Sequence, residues 1–383
     1  MPLDSSCEPV FRIDAILKDK NFKLMALSTL FSVGWFSISF AFPLLALRYN
    51  YTYTEIGLLG IFFSVPLIIL AYLYTKYTIL GFRNRITLSV VGLSILSLFF
   101  FIHSSILFIV LVSITDILQA VFWVTVEISL GYVDDPVVSE KYSTAWGIPN
   151  FLVPLAAGII VEYLGFGPIY IIASVAFVTG LLFIPSERKF VKRKESGAPK
   201  FKMVLPMLFA GVFSGFFYYV MIPYLRVSGL QYIEIGIASF VPPMVLAIVF
   251  AVISTRPLKS IKRTVTISSL LLAAPLLLSA YNSDWFIIGV SALASVGNGL
   301  AFGRVLSYTS GTSSPEMGIF YYEGLFALGF IIGSVVGGFL FQIGNFYSVL
   351  IIFSLPIIYS VWFSYKPRTN EKLTEDNVFS GDR

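Results

Sequence analysis

Long apolar runs, separated by short polar stretches, fill most of the 383-residue chain. A helix needs about 20 mostly apolar residues to cross a bilayer, and each run is close to that length. The pattern predicts twelve membrane-spanning helices, called spans 1 to 12 here. Their predicted bounds are 24–47, 55–75, 86–102, 105–127, 142–162 and 166–184 in the first half, and 204–225, 233–254, 265–281, 285–307, 318–342 and 346–364 in the second.

Polar segments divide this series of apolar runs. The stretch PSERKFVKRKESGAPKFK, from Pro185 to Lys202, has seven Lys or Arg residues together with Pro and Gly. This composition is typical of a solvated linker. The chain is therefore predicted to consist of a tail, a six-span bundle, a basic linker, a second six-span bundle and a second tail, at 1–22, 23–184, 185–203, 204–365 and 366–383.

The placement of Lys and Arg predicts the orientation of the helices. Cytoplasmic loops of membrane proteins carry an excess of positive residues. With both termini in the cytoplasm, 23 of the 26 Lys and Arg residues fall in inner loops and tails. Arg48 and Arg226 fall in outer loops, and Arg304 falls within a span. The sequence thus predicts a multi-pass protein of the cell membrane with both termini inside.

The composition is that of a chain embedded in lipid. Hydrophobic residues make up 57% and charged residues 12% of the sequence, whereas soluble domains have about 25% charged residues. The inner loops account for the net charge of +5, and no basic and aromatic motif indicates nucleic-acid binding. A single Cys and a single His exclude a His/Cys metal cluster. We expect no metal or cofactor, and a monomer whose partners are a small solute and the bilayer.

One short motif occurs twice. YTEIG, starting at Tyr53, recurs as YIEIG, starting at Tyr232, and each copy follows an apolar run. The offset is 179 residues, and Gly158 and Gly337 are separated by the same number. A repeat of about half the chain indicates duplication of a six-span unit in the same membrane orientation. In such proteins the binding site lies between the two halves.

The two sets of six spans, the internal termini and the basic central linker resemble the Major Facilitator Superfamily of transporters, over residues 20–366. The loop after span 2, AYLYTKYTILGFRNR, is similar to the family's G-x-L-x-D-[RK]-x-G-[RK]-[RK] motif in its basic and glycine residues. Thr75 stands where the motif has an acid, and Thr255 stands before the base in the second copy.

This resemblance implies an all-α integral membrane protein with twelve transmembrane helices in two parallel six-helix bundles. It also implies that spans 4 and 10 line a central cavity and that spans 3, 6, 9 and 12 are peripheral. The sequence agrees, because the ionisable residues deep within spans lie in spans 4, 10 and 11. A charge at mid-bilayer costs about 2.5–3.5 kcal/mol or more, so these positions indicate function. They are Asp116, Glu127, Arg304 and Glu323.

Span 4 carries the first candidate site. Asp116, Gln119, Trp123 and Glu127 are spaced by three, four and four residues and therefore share a helical face. Asp116 lies near the middle of the span, where desolvation disfavours a charged carboxylate. We expect Asp116 either to bind a proton or substrate or to brace helix packing, and the sequence leaves both roles open. Glu127 lies nearer the inner surface and is predicted to belong to a gate.

Spans 10 and 11 carry the matching candidates of the second half. Asn298 lies 182 residues after Asp116 and at a similar depth, so it is expected to face Asp116. Arg304 and Glu323 both lie near the inner surface, where an ion pair would offset the cost of burying each charge. They are predicted to meet in a cytoplasmic gate, unless each side chain extends to water.

Three further residues are candidates for contact with substrate. Trp35 in span 1 and Tyr218 in span 7 are aromatic residues at a depth where they could stack on a ligand. Asn150 lies in span 5 near Pro149, and proline frees a backbone carbonyl within a membrane helix.

These observations favour a secondary active transporter that moves a small organic solute or lipophilic compound by alternating access. The sequence leaves open whether transport is coupled to protons. A channel would need rings of charges or carbonyls, and an enzyme would need a nucleophile or metal motif. The sequence shows none of these. The alternative that stays open is a non-transporting membrane sensor or scaffold on the same fold.

Overall fold

The computed structural model describes residues 20–77, 80–102, 104–133, 138–185, 199–255, 260–310 and 314–365. Within these ranges the chain forms helices and no strands. Ten of these helices are long and apolar enough to cross a membrane, and two shorter apolar helices end the two halves. Most of the predicted linker and both predicted tails lie outside the described residues, at 1–19, 186–198 and 366–383.

The helices follow the order of the predicted spans and are numbered α1 to α12. In the first half they are α1 (Lys20–Arg48), α2 (Tyr53–Lys76), α3 (Phe82–Phe99), α4 (Ser105–Leu130), α5 (Val138–Leu164) and α6 (Gly167–Gly180). In the second half they are α7 (Phe201–Val227), α8 (Tyr232–Thr255), α9 (Ile261–Ser279), α10 (Asp284–Ser310), α11 (Pro315–Tyr347) and α12 (Ser348–Tyr365).

Two helices of the second half are irregular. α7 and α11 each contain a π-helical turn, at Phe217–Met221 and Ile332–Val336. Such turns interrupt the regular hydrogen-bond ladder and are frequent at functional sites. α7 is also divided by Pro206 and Pro223, which lie at the starts of its segments and lack a backbone N–H. The apolar runs alone predicted uninterrupted helices here.

The glutamate of the repeated motif caps a helix in both halves. At the start of α2, the Thr52 N–H donates to Glu55 Oε2 at 2.7 Å, and the Glu55 N–H donates to the Thr52 hydroxyl at 3.3 Å. At the start of α8, the Gln231 N–H donates to Glu234 Oε2 at 2.8 Å. These bonds satisfy amides that a helix start leaves without a partner. The repeat therefore encodes the same helix start twice.

The glycine of the repeated motif lets the two halves touch. A Cβ on Gly57 of α2 would overlap the carbonyl oxygen of Ser334 in α11. A Cβ on Gly236 of α8 would lie 3.1 Å from the Cα of Gly158 in α5. Small residues allow this close approach of backbones between membrane helices. The α2–α11 and α5–α8 contacts thus join the first half to the second.

The outward face of the peripheral helices is apolar. Ile95 of α3 is 53% exposed, Leu182 in the turn that follows α6 is 76% exposed, and Val361 of α12 is 61% exposed. Soluble monomers rarely expose large contiguous apolar surfaces. The same residues would be covered by lipid in a bilayer, as expected for a multi-pass membrane protein.

Labelling of single cysteines is expected to place the loop between α9 and α10 outside the cell. In a Cys7→Ser background, Asn282→Cys should react with a membrane-impermeant thiol reagent added to intact cells. Ser196→Cys, in the basic linker and outside the described residues, should react only in inverted vesicles, because Lys and Arg favour the cytoplasmic side. Reversed labelling of the two positions would contradict the predicted orientation.

Candidate functional site

A cavity of about 170 Å³ lies between the two halves of the protein. Residues of α1, α2, α4 and α5 line it on one side, and residues of α7, α8, α10 and α11 line it on the other. Among the described residues, those in the wall include none from α3, α6, α9 or α12. Each half therefore contributes four helices to the cavity, and a ligand there would contact both halves.

Aromatic side chains form half of the cavity wall. Twelve of the 24 lining residues are Phe, Trp or Tyr. Rings from opposite halves pack together, with centroid distances of 4.5 Å between Phe63 and Phe330 and 5.8 Å between Trp146 and Phe302. Trp35 is also part of the wall. Such a wall fits an apolar or aromatic solute better than a strongly hydrated one.

Two carboxyl groups meet in the wall, one from each half. Glu127 of α4 and Glu323 of α11 are each 5% exposed and lie within hydrogen-bonding range of each other. The Tyr142 hydroxyl donates to Glu127 Oε1 at 3.5 Å. A hydrogen bond between two carboxyls requires a proton on one of them, because two carboxylates at this separation repel each other. The pair can therefore hold a proton or attract a cation.

Two asparagine side chains add polar groups to the same wall. Asn150 Oδ1 accepts a hydrogen bond from the Tyr218 hydroxyl at 3.3 Å, which joins α5 to α7 across the halves. Asn298 Nδ2 donates to Ser214 Oγ at 3.4 Å. Asn298 Oδ1 is buried and has no hydrogen-bond partner among the described residues. An unsatisfied buried acceptor costs about 1–3 kcal/mol, so a donor group is favoured beside it.

Asp116 and Gln119 lie behind the cavity wall. Both are fully buried and are not among the residues that line the cavity, whereas Trp123 and Glu127 on the same helical face do line it. The Asp116 carboxyl is close enough to Tyr219 of α7 for an electrostatic interaction. Neither carboxyl oxygen has a hydrogen-bond partner in the described part of the chain. The predicted face of α4 is thus divided, because Trp123 and Glu127 line the cavity whereas Asp116 and Gln119 are buried behind its wall.

Arg304 is buried in α10 and lies outside the cavity wall. Glu323, its predicted partner in the gate, meets Glu127 of the opposite half in this structure. The contact between Arg304 and Glu323 stays a prediction. What the structure adds is that the two candidate gate glutamates belong to one pair.

Contacts between the halves are present at both ends of the cavity. At the end predicted to be outside, the Thr54 hydroxyl donates to Gln342 Oε1 at 2.6 Å. At the end predicted to be inside, the hydroxyls of Ser139 and Ser310 lie 3.0 Å apart. Both bonds join the first half to the second. Opening either end therefore requires the halves to separate there.

A second contact at the predicted inner end joins the turn after α4 to the start of α11. The Tyr132 hydroxyl donates to the Glu316 carboxylate. Burial of the side chain and the neighbouring carboxylate raise the pKa of Tyr132 above its ordinary value, so its hydroxyl keeps the proton and remains a donor. Beside it, a Cβ on Gly131 would lie 2.5 Å from the Pro315 side chain. The halves are thus tightly packed at this end.

The comparisons with known proteins agree with this architecture. The sequence matches the family model for the Major Facilitator Superfamily over residues 24–317. The chain belongs to this superfamily. A comparison with curated protein sequences finds no significant match. Among solved structures, the crystal structure of the human organic anion transporter MFSD10 (TETRAN) is similar, with a TM-score of 0.66 and 15% identity, over 88% of this chain and 98% of that chain.

In this member of the Major Facilitator Superfamily, the loop after α2 is held without the acid of the family motif. The Thr75 hydroxyl donates to the Tyr72 carbonyl oxygen at 2.7 Å within its own helix. The Arg85 guanidinium lies 3.7 Å from the centre of the Tyr74 ring. This cation–π contact joins the start of α3 to the end of α2.

Sequence reasoning missed several residues of this superfamily member's cavity region. Tyr142 and Trp146 lie eight and four residues before Asn150, so helical spacing from a chosen candidate was a signal for both. Phe302 lies four residues after Asn298 and could have been found in the same way. The contact between Ser139 and Ser310 had no comparable signal, because it depends on how helices of different halves pack.

Proposed function

We propose that the protein is a secondary active transporter that moves a small organic or lipophilic solute across the cell membrane by alternating access. The observation that carries this proposal is the position of the cavity, which lies between two four-helix walls with contacts between the halves at both ends. If the halves rock about this site, a bound solute leaves first through one end and then through the other.

Internal symmetry supports the mechanism. We propose twelve transmembrane helices in two parallel six-helix repeats, with both termini in the cytoplasm. The capping glutamates Glu55 and Glu234 start equivalent helices, α2 and α8, and the next glycine in each motif touches the opposite half. A rotation about the membrane normal should therefore superpose the halves and bring Glu55 onto Glu234.

The structural neighbour supports transport as the general activity. MFSD10 is described as an organic anion transporter, and its fold covers most of this chain. At 15% identity the likeness extends to the fold, so the charge of the solute has to be inferred from this chain's own cavity. That cavity is aromatic and contains two glutamates, and it supports a compact organic solute rather than an inorganic ion.

We further assign proton coupling to Asp116. Its carboxyl is fully buried, lies near Tyr219 of the opposite half and has no hydrogen-bond partner among the described residues. A carboxyl in such surroundings is favoured in its neutral form, and a rearrangement that exposes it to water would let it release a proton. Proton release would then be linked to the relative position of the halves.

Alternating access is expected to expose one cavity residue to each side of the membrane in turn. In a Cys7→Ser background, Ser39→Cys in the cavity wall should react with a membrane-impermeant thiol reagent both in intact cells and in inverted vesicles. The reason is that the cavity must open to both faces during the cycle. The measurement is the fraction of protein labelled on each face.

The matched control is Ser32→Cys in the same helix. Ser32 is fully buried, lies outside the cavity wall and donates to the Ser28 carbonyl oxygen at 2.7 Å. It should remain unlabelled in both preparations. A non-transporting sensor or scaffold predicts that Ser39→Cys reacts from one face at most, and that outcome would remove alternating access.

A further inference from the structure

We propose that the cavity binds an organic ammonium ion that carries a single aromatic ring, with its charge held by Glu127 and Glu323. This inference names a substrate class for the proposed transporter. Movement of the solute rests on the proposed function, but binding of the solute does not. Binding itself can be tested on the purified protein.

The charge of the cavity wall carries the first step. Two of the 24 lining residues are glutamates, and the described wall contains no Lys, Arg or His. Two carboxyls within hydrogen-bonding range repel each other when both are ionised, and a cation placed beside them removes that repulsion. An anionic solute would add a further negative group to a buried acidic site whose described wall has no counter-charge, which is strongly unfavourable.

An unsatisfied acceptor carries the second step, independently of the acids. Asn298 is 5% exposed and lies in the wall, and its amide nitrogen already donates to Ser214. Its Oδ1 atom has no donor among the described residues. An ammonium group has up to three N–H donors and no acceptor. A donor group on a cationic ligand would supply the missing hydrogen bond at this part of the wall, whereas a carboxylate or sulfonate placed there would present another acceptor.

The aromatic rings carry the third step. Trp123 lies one turn before Glu127 in α4, and its ring is 6.4 Å from that of Trp146, which in turn is 5.8 Å from Phe302. Indole and phenyl faces attract a cation within about 6 Å of the ring centre. They also stack on an aromatic ring of the ligand. The acids are thus surrounded by surfaces that favour a ring attached to a positive charge.

The size of the cavity limits the ligand. An apolar cavity of about 150 Å³ holds benzene, and the cavity here has a volume of about 170 Å³. One aromatic ring fits within this volume in the present arrangement of the halves, and the glutamate pair at the wall can receive a short charged substituent. A fused polycyclic cation would require the halves to move apart.

The experiment uses three ligands that share a phenyl ring and a short chain and differ in charge. They are 2-phenylethylamine, which is cationic at neutral pH, 2-phenylethanol, which is neutral, and 3-phenylpropanoate, which is anionic. Binding is measured by calorimetry and by thermal unfolding of the full-length protein in detergent, since a ligand of the native state raises the unfolding temperature. The amine should bind at least about tenfold more tightly than the alcohol, because hydrogen bonds to a charged group are worth more than neutral ones. The propanoate should bind most weakly.

Charge-neutral variants test the assigned residues. Glu127→Gln and Glu323→Gln should each lower the affinity for the amine about tenfold, and should lower the affinity for the alcohol by less. The matched control is Glu316→Gln in the same helix as Glu323, because Glu316 contacts Tyr132 outside the cavity wall. This variant should bind the amine like the unmodified protein. Each variant is used only after its unfolding temperature without ligand shows that it is folded.

The outcomes separate this inference from the proposed transport function. Equal binding of the three ligands, tightest binding of the propanoate, binding of none, or amine binding that both folded glutamine variants retain would overturn the ammonium site. Counterflow in proteoliposomes tests transport separately. Amine binding without counterflow of any solute would support the ammonium site and contradict transport. Counterflow of an anion without amine binding would support transport and contradict the ammonium site.

Discussion

Gly329→Ala is expected to destabilise the protein by about 1–3 kcal/mol or more, as overpacking of a close contact does. Gly329 lies in α11 where this helix touches α7. A Cβ at this position would overlap the carbonyl oxygen of Leu208 and would lie 3.0 Å from the amide nitrogen of Val212. Both are backbone atoms, so relief requires a shift of a whole helix rather than of one side chain.

The same close approach is repeated along both helices. A Cβ on Gly211 of α7 would overlap the carbonyl oxygen of Phe326, and one on Gly333 of α11 would overlap that of Val212. Small residues four positions apart on each helix thus let the two backbones touch. Because Phe326 and Phe330 of α11 also line the cavity, a displaced α11 should weaken ligand binding as well as stability.

Gly324→Ala in the same helix is the matched control. The nearest side-chain atom to a Cβ there is 3.9 Å away, on Phe320, which is an ordinary contact distance. This substitution should be neutral or stabilising by up to about 1 kcal/mol, because alanine favours helix more than glycine does. Thermal unfolding of both variants in the same detergent provides the comparison. Equal unfolding temperatures for Gly329→Ala and Gly324→Ala would show that α7 and α11 do not depend on this contact.

Asp116→Asn is expected to abolish proton-driven accumulation and to leave exchange of solute intact. The amide has the shape of the neutral acid and remains able to hydrogen-bond, but it has no proton to release. A pH difference of one unit corresponds to about 1.36 kcal/mol and supports roughly tenfold accumulation when one proton is coupled to each solute. In the variant this ratio should fall to the level of protein-free vesicles.

The measurement uses proteoliposomes with an imposed pH gradient and a clamped membrane potential. A permanently charged solute such as trimethyl(2-phenylethyl)ammonium is suitable, because it does not cross lipid as a neutral base; if it is not carried, a solute found by thermal-shift screening replaces it. Counterflow without a pH gradient is the internal control and should match the unmodified protein. Normal accumulation by Asp116→Asn would leave Asp116 as a residue that braces helix packing around α4.

Local patterns in the sequence were sufficient to predict the membrane helices. The apolar runs were interpreted as membrane helices because a bilayer has no water to satisfy an exposed backbone, so a run of that length has few alternatives. The family resemblance is confirmed by the match over residues 24–317. The deep acids Glu127 and Glu323 were predicted to belong to a gate; both lie in the cavity wall, and their role as a gate stays a prediction.

Helical spacing gave the shared face of α4 but not what that face contacts. Asp116, Gln119, Trp123 and Glu127 do lie along one face. The first two are fully buried and the last two line the cavity. Nothing within α4 distinguishes these neighbours, because burial at each position depends on the helices that pack against α4, chiefly α2 and α3.

The sequence by itself determined where the apolar helices lie along the chain and which of their residues carry costly charges. These properties depend on neighbours along the chain or on transfer into lipid, and both can be evaluated residue by residue. Only the tertiary structure decided that Glu127 meets Glu323 and that the α7–α11 backbones touch at Gly329. Each of these contacts joins residues more than 100 positions apart. They form because small residues allow particular helices to approach closely, and that choice of neighbours belongs to the packed bundle.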